Sequence, residues 1–507
     1  MEIRSASGDI SAQEVGAVVV NLFSGAVSPG GSAGAVDRAA GGVISQLISA
    51  GEITGEQDEV TVIHTMGDMY RDFAPARVVV VGLGDIDNLS LDAIRSASAA
   101  VARRLRAIGV GEAATVVHGA GAGGMEPGAC AEAIAEGTML GLYRFDKYRA
   151  SSRERGRSGG LSGLTLVEQD DSRLPAIESG LARGRVFAQA AMTARDMVNE
   201  PANHLTPARM AETARQVGSG DNLTVEVLEG SDCESLGMGA FLGVAQGSHQ
   251  PPKFIRISYE GAPEDPANNI WLIGKSITFD TGGISIKPAA NMGAMKGDMS
   301  GGAAVIGAME AISELQPRLN VHAVCAATEN MPGGGAQRPG DVVQAMNGKH
   351  IEIDNTDAEG RLTLADAVSY ARSNGAARIV DIATLTGAIN VALGSGQSGL
   401  FSNNDELAQA VTKAAATRGE PVWRLPMDKA SRKQNESKIA DIKNSGGRPA
   451  GSITAAHFIA EFVEDTPWAH LDIAATNMRD SDHGWETAGA TGVPARALVQ
   501  LVLDLAS

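Results

Sequence analysis

Residues 271–302 read WLIGKSITFDTGGISIKPAANMGAMKGDMSGG. The stretch opens on an apolar, β-branched run and passes through a glycine-rich segment. It then enters GGAAVIGAMEAISEL (301–315), whose apolar spacing is that of a helix. Strand, loop and helix in that order form the unit of an α/β domain. The charged residues gather at the joints. Lys275 follows the apolar run, so it belongs at a strand end with its stem buried. Asp280 precedes Thr281 and two glycines, Lys287 lies beyond, and Asp298 stands just before the helix. Each has a plain structural role open to it. Lys275 can snorkel, Asp280 can cap a turn with Gly282 and Gly283, and Asp298 can cap the helix N-terminus.

The same alternation extends to both sides. FIRISYEG (254–261), NVHAVCAATEN (320–330), ARIVDIATLT (377–386) and AHLDIAAT (469–476) are strand-like, and RLTLADAVSYARSNG (361–375) is helix-like. In such sheets, sites collect at the carboxyl ends of the strands. The first third repeats the layout. GAVVVNLF (16–23), VTVIHTMG (60–67), RVVVVGLG (77–84) and ATVVHG (114–119) read as strands, and LDAIRSASAAVARRLRAIG (91–109) as a helix with Gly109 past its end. VVVVGLGDID lacks the third glycine of a dinucleotide fingerprint. A helical stretch from Ile177 stops near Pro201. The expected organisation is therefore an N-terminal α/β domain over 1–176, and a second α/β unit over 177–507 that begins with a linking helix at about 177–200.

A second stretch, NTDAEGRLTLADA (355–367), sets Asp357, Glu359 and Arg361 at alternate positions. In extended backbone the three would point to one side. Two readings stand open: a solvated loop paired with its own arginine, or a metal site whose cation lies between the carboxylates. With Asp280 and Asp298 the chain offers four carboxylates near strand ends or glycine-rich backbone. Four anions balance two divalent cations, the clamp in which ions about 3.5–4 Å apart serve hydrolases. The nine histidines form no close ligand pair. A site of oxygen ligands accepts Mn²⁺ or Mg²⁺ as well as Zn²⁺.

Composition narrows the function. The chain has 507 residues, 43% hydrophobic, with a formal net charge of -18. That balance argues against a protein whose main business is nucleic acid, which needs a basic surface, and leaves room for one local basic patch. RASSRERGRSGGLSG (149–163) is the basic exception; it is read as a solvated loop, with DNA contact the alternative. Three scattered cysteines fit no zinc or disulfide framework and point to a reducing compartment. No apolar run is long enough for a membrane span, and the N-terminus lacks a basic region followed by an apolar core, so cytoplasm is expected.

NTDAEGRL resembles the signature of the leucine aminopeptidase, or cytosol aminopeptidase, family (the M17 metallopeptidases). GKSITFDTGGISIKPAANMGAMKGDMSGGAAV, ENMPGGGAQRPGDVVQAMNGK, DIATLTGAINVALG, IADIKNSGGRPAGSITAAHFIAEF and WAHLDIA are similar to that family in its order, over about the last three hundred residues. The resemblance implies a macro-domain-like N-terminal sandwich and a C-terminal α/β/α catalytic domain with a mixed central sheet. It implies two divalent ions, Mn²⁺ or Zn²⁺ and possibly Mg²⁺, on Lys275, Asp280, Asp298, Asp357 and Glu359. It makes Lys287 and Arg361 catalytic, with a bicarbonate ion on Arg361 as general base and metal-bound hydroxide as the attacking group. It places Met295, Thr384, Gly387 and Ala474 around the first side chain of a peptide, with leucine and other apolar residues preferred. It also implies a homohexamer, and some bacterial relatives bind DNA. A two-metal phosphatase or nuclease is the competing enzyme class, though such sites more often hold histidines and more cations.

Overall fold

The computed structural model describes residues 1–66, 73–150, 160–220 and 222–507. Most of the basic segment 149–163 lies outside them. The chain forms two compact units, one of Met1–Ala188 with Ser481–Ala488, the other of Gln189–Asp480 with Gly489–Ser507. They part inside a single helix, Leu174–Asn199, which also contains the expected boundary at 176/177.

The first unit is built on a six-stranded sheet of β1 (Glu2–Ser7), β2 (Ala17–Leu22), β3 (Val60–His64), β4 (Arg77–Gly82), β5 (Glu112–Val116) and β6 (Gly163–Glu168). The order is β1-β6-β5-β2-β4-β3, parallel throughout except for the antiparallel edge strand β3. Val19, Val79 and Val81 pack into one core with the helices Leu91–Ala107 and Pro127–Leu142. Val18, Val20, Val78 and Val80 pack into another with Val36 and Ile44 of the helices Gly31–Ala39 and Val43–Ser49. Unbroken valine runs arise because both faces of the sheet are covered.

The second unit carries an eight-stranded sheet. Its strands are β7 (Thr224–Leu228), β8 (Lys253–Glu260), β9 (Asn269–Asp280), β10 (Asn320–Asn330), β13 (Ile379–Ala383), β14 (Ser398–Ser402), β15 (Val422–Arg424) and β17 (Trp468–Asp472). A small side sheet joins β11 (Val342–Gln344), β12 (His350–Glu352) and β16 (Ile442–Lys443). The main order is β15-β14-β17-β13-β9-β10-β8-β7. The central strands β17, β13, β9 and β10 run parallel, whereas β14, β8 and β7 pair antiparallel to their inner neighbours. The sheet is therefore mixed, as expected, and the parallel centre sends four carboxyl ends the same way.

Strand β9 decides what happens at that end. Trp271 and Ile273 face a core shared with Leu364 and Val368 of the helix Gly360–Ser373, so Lys275 points to the same side. Gly274 faces the helix Ser300–Leu315. A Cβ on Gly274 would lie 2.4 Å from the Cα of Gly302, so the helix rests on bare backbone there. Between Thr328 and Glu329 the register of β9 against β10 shifts: Ile277 pairs with Thr328 and Phe279 with Glu329. One residue drops out of the alternation. Lys275 and Asp280 are five residues apart and would normally point to opposite faces, but the bulge brings them to one side.

Gly274→Ala is expected to force strand and helix apart and cost about 1–3 kcal/mol of stability, as overpacking does. Urea denaturation measures it, and a variant as stable as wild type would show that the contact is not tight.

Candidate metal centre

Strand β9 and the segment after it supply Lys275, Asp280, Lys287 and Asp298, and the turn between β12 of the side sheet and the helix Gly360–Ser373 supplies Asp357 and Glu359. Asp280 ends β9. Its Oδ1 accepts from the Gly282 amide at 2.8 Å and from Asn330 Nδ2 at 2.8 Å, and its Oδ2 lies 2.8 Å from Lys287 Nζ. The turn-capping role read from the sequence is thus real, and the second oxygen still faces the site. Asp298 is not a helix cap. Met299 holds the N-cap position of Ser300–Leu315, without a side-chain bond. Asp298 Oδ1 instead accepts from Thr384 Oγ1 at 2.8 Å and lies 2.8 Å from Lys275 Nζ. The carboxylate is drawn away from the helix by these stronger partners.

The extended geometry expected for Asp357, Glu359 and Arg361 is also wrong. The chain turns at Thr356 and Asp357, where Asn355 Oδ1 accepts from the Asp357 amide at 2.9 Å. Glu359 is already helical (φ -80, ψ -34) and caps Gly360–Ser373. An Asn side chain that bonds the backbone two residues on makes a turn rather than a strand. The carboxylates converge all the same. Asp280, Asp357 and Glu359 each offer an oxygen, all within 4.8 Å of one another.

Two lysines enter this cluster. Lys275 Nζ lies 2.8 Å from Glu359 Oε1 and donates to the Thr384 carbonyl at 3.0 Å. A Cβ on Gly360 would stand 2.5 Å from Lys275 Cε, so the glycine of the signature opens the channel for this side chain. Lys287 Nζ bridges Asp280 and Asp357 Oδ1, the latter at 2.5 Å. Burial pushes both ammonium groups down, but the surrounding carboxylates outweigh it and hold both well above the ordinary lysine range. Burial, reinforced by neighbouring carboxylates, raises Glu359 and Asp298 above the usual carboxylate range.

A divalent metal fits this set. Glu359 is 1% exposed, Asp280 2% and Asp298 7%. Four carboxylates face two ammonium groups, which leaves two negative charges uncompensated in a largely dry site, a costly arrangement without a further cation. Both oxygens of Glu359, Asp298 Oδ2 and Asp357 Oδ1 are buried with no aligned hydrogen-bond donor. The candidate ligating group is carboxylate throughout among the described residues, with no histidine in it.

Arg361 is held apart from the ligating oxygens. Its Nη1 donates to the Asn444 carbonyl at 2.8 Å, and its buried Nε has no hydrogen-bond partner. Burial brings it down to about 10 against the pull of Glu359 and Asp472. The four expected pocket residues lie on the turns around the cluster. Met295 precedes Asp298 in a 3-10 turn, and its carbonyl accepts the Asp298 amide at 3.3 Å. Thr384 follows β13, Gly387 opens a short helix, and Ala474 follows β17. Met295 and Ala474 are partly exposed rather than core residues.

Reading the sequence overlooks the residues that hold these turns. Asn330 Nδ2 joins Asp280 to the Thr356 carbonyl, 3.0 Å away. Thr356 Oγ1 donates to the Gly282 carbonyl at 2.7 Å and accepts from the Ser285 amide at 2.8 Å. Asp472 Oδ1 accepts from the amides of Leu385 and Ala474, at 3.1 and 3.3 Å, which ties the turn after β13 to the turn after β17. For Asn330 and Asp472 an amide or carboxylate at a strand's carboxyl end is the one signal in the sequence, and Thr356 carries none.

Fold and site together define a two-unit α/β chain with a buried cluster of carboxylates and lysines suited to divalent cations. Comparison with known proteins gives the family. A family model described as "Cytosol aminopeptidase family, catalytic domain" matches residues 192–499, and one for the N-terminal domain matches residues 19–152. A relative described as "Probable cytosol aminopeptidase" from Alkaliphilus oremlandii is 42% identical over 506 residues, 100% of both chains. Another so described, from Solibacter usitatus, is 45% identical over 458 residues, 90% of this chain and 92% of its own. Among solved structures, a lysine-to-glutamate mutant of tomato leucine aminopeptidase superposes with a TM-score of 0.88 at 32% identity, over 99% of this chain and 96% of its own. The bottromycin maturation enzyme BotP in complex with Mn gives 0.84 at 34% identity, over 97% and 100%. The chain belongs to the cytosol aminopeptidase family.

Removal of the Lys275 ammonium (Lys275→Met) is expected to leave Asp298 and Glu359 buried against each other, at a cost of about 3–5 kcal/mol in chelator. The loss has a pH sign. Carboxylates raised in the folded state keep their stability contribution at low pH and lose it as pH rises through their folded range. The variant's deficit in urea denaturation should therefore grow with pH. A deficit independent of pH would contradict the pairing.

Proposed function

We propose that this aminopeptidase releases the N-terminal residue from peptides, leucine and other apolar residues by preference, at a two-ion centre held by Lys275, Asp280, Asp298, Asp357 and Glu359. One observation carries the reading: Asp280, Asp357 and Glu359 converge, Asp298 joins them through Lys275, three of the four are buried, and their negative charge exceeds that of the two lysines they face. When bound, Mn²⁺, Zn²⁺ or Mg²⁺ would supply Lewis-acid polarisation of the scissile carbonyl and a lowered pKa for water. The manganese complex of the related BotP favours Mn²⁺.

The chain's own groups do the rest. Lys275 joins the ligand set as a neutral amine, which requires its proton to leave once further cations replace the charge it now balances. Lys287 keeps its proton; Asp280 and Asp357 hold its ammonium at the mouth of the cluster, where it donates to the oxyanion of the tetrahedral stage. Arg361 presents its unpartnered Nε to a bicarbonate ion, which would supply the general base for proton transfer to the leaving amine. Met295, Thr384, Gly387 and Ala474 border the first side chain, and their small or apolar character favours leucine. A free α-amine is required, since ligation needs its nitrogen lone pair. The working form is a homohexamer in the cytoplasm. No helix among the described residues is long and apolar enough to cross a membrane.

Leucine p-nitroanilide should be cleaved and its N-acetyl form left intact, with activity lost to chelator and restored by Mn²⁺. Cleavage of the acetylated substrate would sink the aminopeptidase reading.

Lys287→Ala should lower kcat by about 10²–10³-fold, the scale of losing one oxyanion donor, while metal analysis finds the ions retained. Loss of metal along with activity would make Lys287 a ligand-site residue instead.

A further inference from the structure

The turn that carries Asp357 is anchored from outside the motif. Strand β16 runs parallel to β12, and the ladder continues one residue further, where the Asn444 amide donates to the Glu352 carbonyl at 3.0 Å. Asn444 thereby comes to lie beside residues 354–358, some ninety positions earlier in the chain. Its side chain is 0% exposed. Oδ1 accepts from the amides of Asp354 at 2.9 Å and Asn355 at 3.2 Å. Nδ2 donates to the carbonyls of Asn355 at 2.7 Å and Ala358 at 3.3 Å. A carboxamide has two acceptor and two donor positions, and all four are engaged. The Asn444 main-chain carbonyl accepts from Arg361 Nη1 at 2.8 Å.

We infer that Asn444 is a positioning residue for the two-ion site: its carboxamide sets the turn that aims Asp357 and Glu359, and its carbonyl orients Arg361. No other side-chain type matches the demand. An aspartate would turn acceptors toward the Asn355 and Ala358 carbonyls, and a leucine would strand four buried backbone groups. The bonds bracket Asp357 on both sides: Asp354 and Asn355 before it, Ala358 after it. Glu359 follows directly and starts the helix. Loss of the clamp frees the turn without touching any ligating atom. The inference rests on the proposed metal centre, and groups that orient ligands in this way typically govern metal affinity by about 10–100-fold.

The test is isothermal titration of Mn²⁺ into wild type, Asn444→Asp and Asn320→Asp, with thermal melts of each. Asn320 is an equally buried amide at the opposite end of β10. It donates to the carbonyls of Ala262 and Asp265 at 2.8 and 2.9 Å and accepts from the Ala262 amide at 2.9 Å. N444D should weaken Mn²⁺ binding by about 10–100-fold and lower kcat more than it changes KM, whereas N320D should lose stability but bind Mn²⁺ as wild type does. Equal affinity in N444D and wild type would overturn the role of Asn444, as would an equal loss in N320D. Absence of Mn²⁺ binding by wild type would instead remove the metal reading on which the inference rests. Asn444→Gln, which keeps donor and acceptor but displaces them by one methylene, should reproduce the N444D affinity loss. Failure of both Asn444 variants to fold would make it a folding residue and overturn the inference.

Discussion

Everything at the carboxyl edge of the second unit answers to one electrostatic constraint. Asp280, Asp298 and Glu359 are brought together where water screens them little, with the half-buried Asp357 at the edge of the cluster. Lys275 and Lys287 offset half of that charge, each lying between two of the carboxylates. The remainder calls for cations. The lysine and carboxylate groups are pushed in the same direction: the ammonium ions are held protonated by the carboxylates, and Asp298 and Glu359 resist ionisation because they are buried and face other carboxylates.

Such a cluster needs a frame that does not yield. The frame is made of backbone contacts and short polar ties rather than of the ligating residues themselves. Gly274 and Gly302 let β9 and the helix after Asp298 touch at main-chain distance. The bulge opposite Thr328 and Glu329 turns Asp280 toward Lys275. Asn330, Thr356, Asp472 and Asn444 each join segments far apart in sequence: Asn330 and Thr356 tie the ends of β9 and β10 to the signature turn, Asn444 ties β16 to it, and Asp472 joins the turns after β13 and β17. A site that must hold ions to within fractions of an ångström depends on such outer bonds as much as on its ligands.

The sequence makes the long buried strands plain. β9 and β10 are covered on both faces and read as continuous apolar runs, as do β2 and β4. Strands β1, β6, β7, β14 and β15 escape notice because they are short, at or near an edge, or mixed in polarity, as in EIRSAS and TVEVL. The candidate ligands stand out because carboxylates cluster beside strand ends and glycines. Their local geometry does not: extended spacing misplaces Glu359 and Arg361, since the Asn355 turn and the early start of the helix depend on hydrogen bonds invisible in a one-dimensional pattern. Asp298 reads as a helix cap for the same reason, because Thr384 and Lys275 arrive from distant strands. The clamps Asn330 and Asn444 become visible only once the register of β9 with β10 and of β12 with β16 is known.

The most direct measurement is anomalous diffraction from crystals grown with Mn²⁺. Two peaks about 3.5–4 Å apart, both within the ring of Asp280, Asp298, Asp357, Glu359 and Lys275, are the predicted result. A single peak outside that ring, or none with the carboxylates still paired to both lysines, would contradict a two-ion centre.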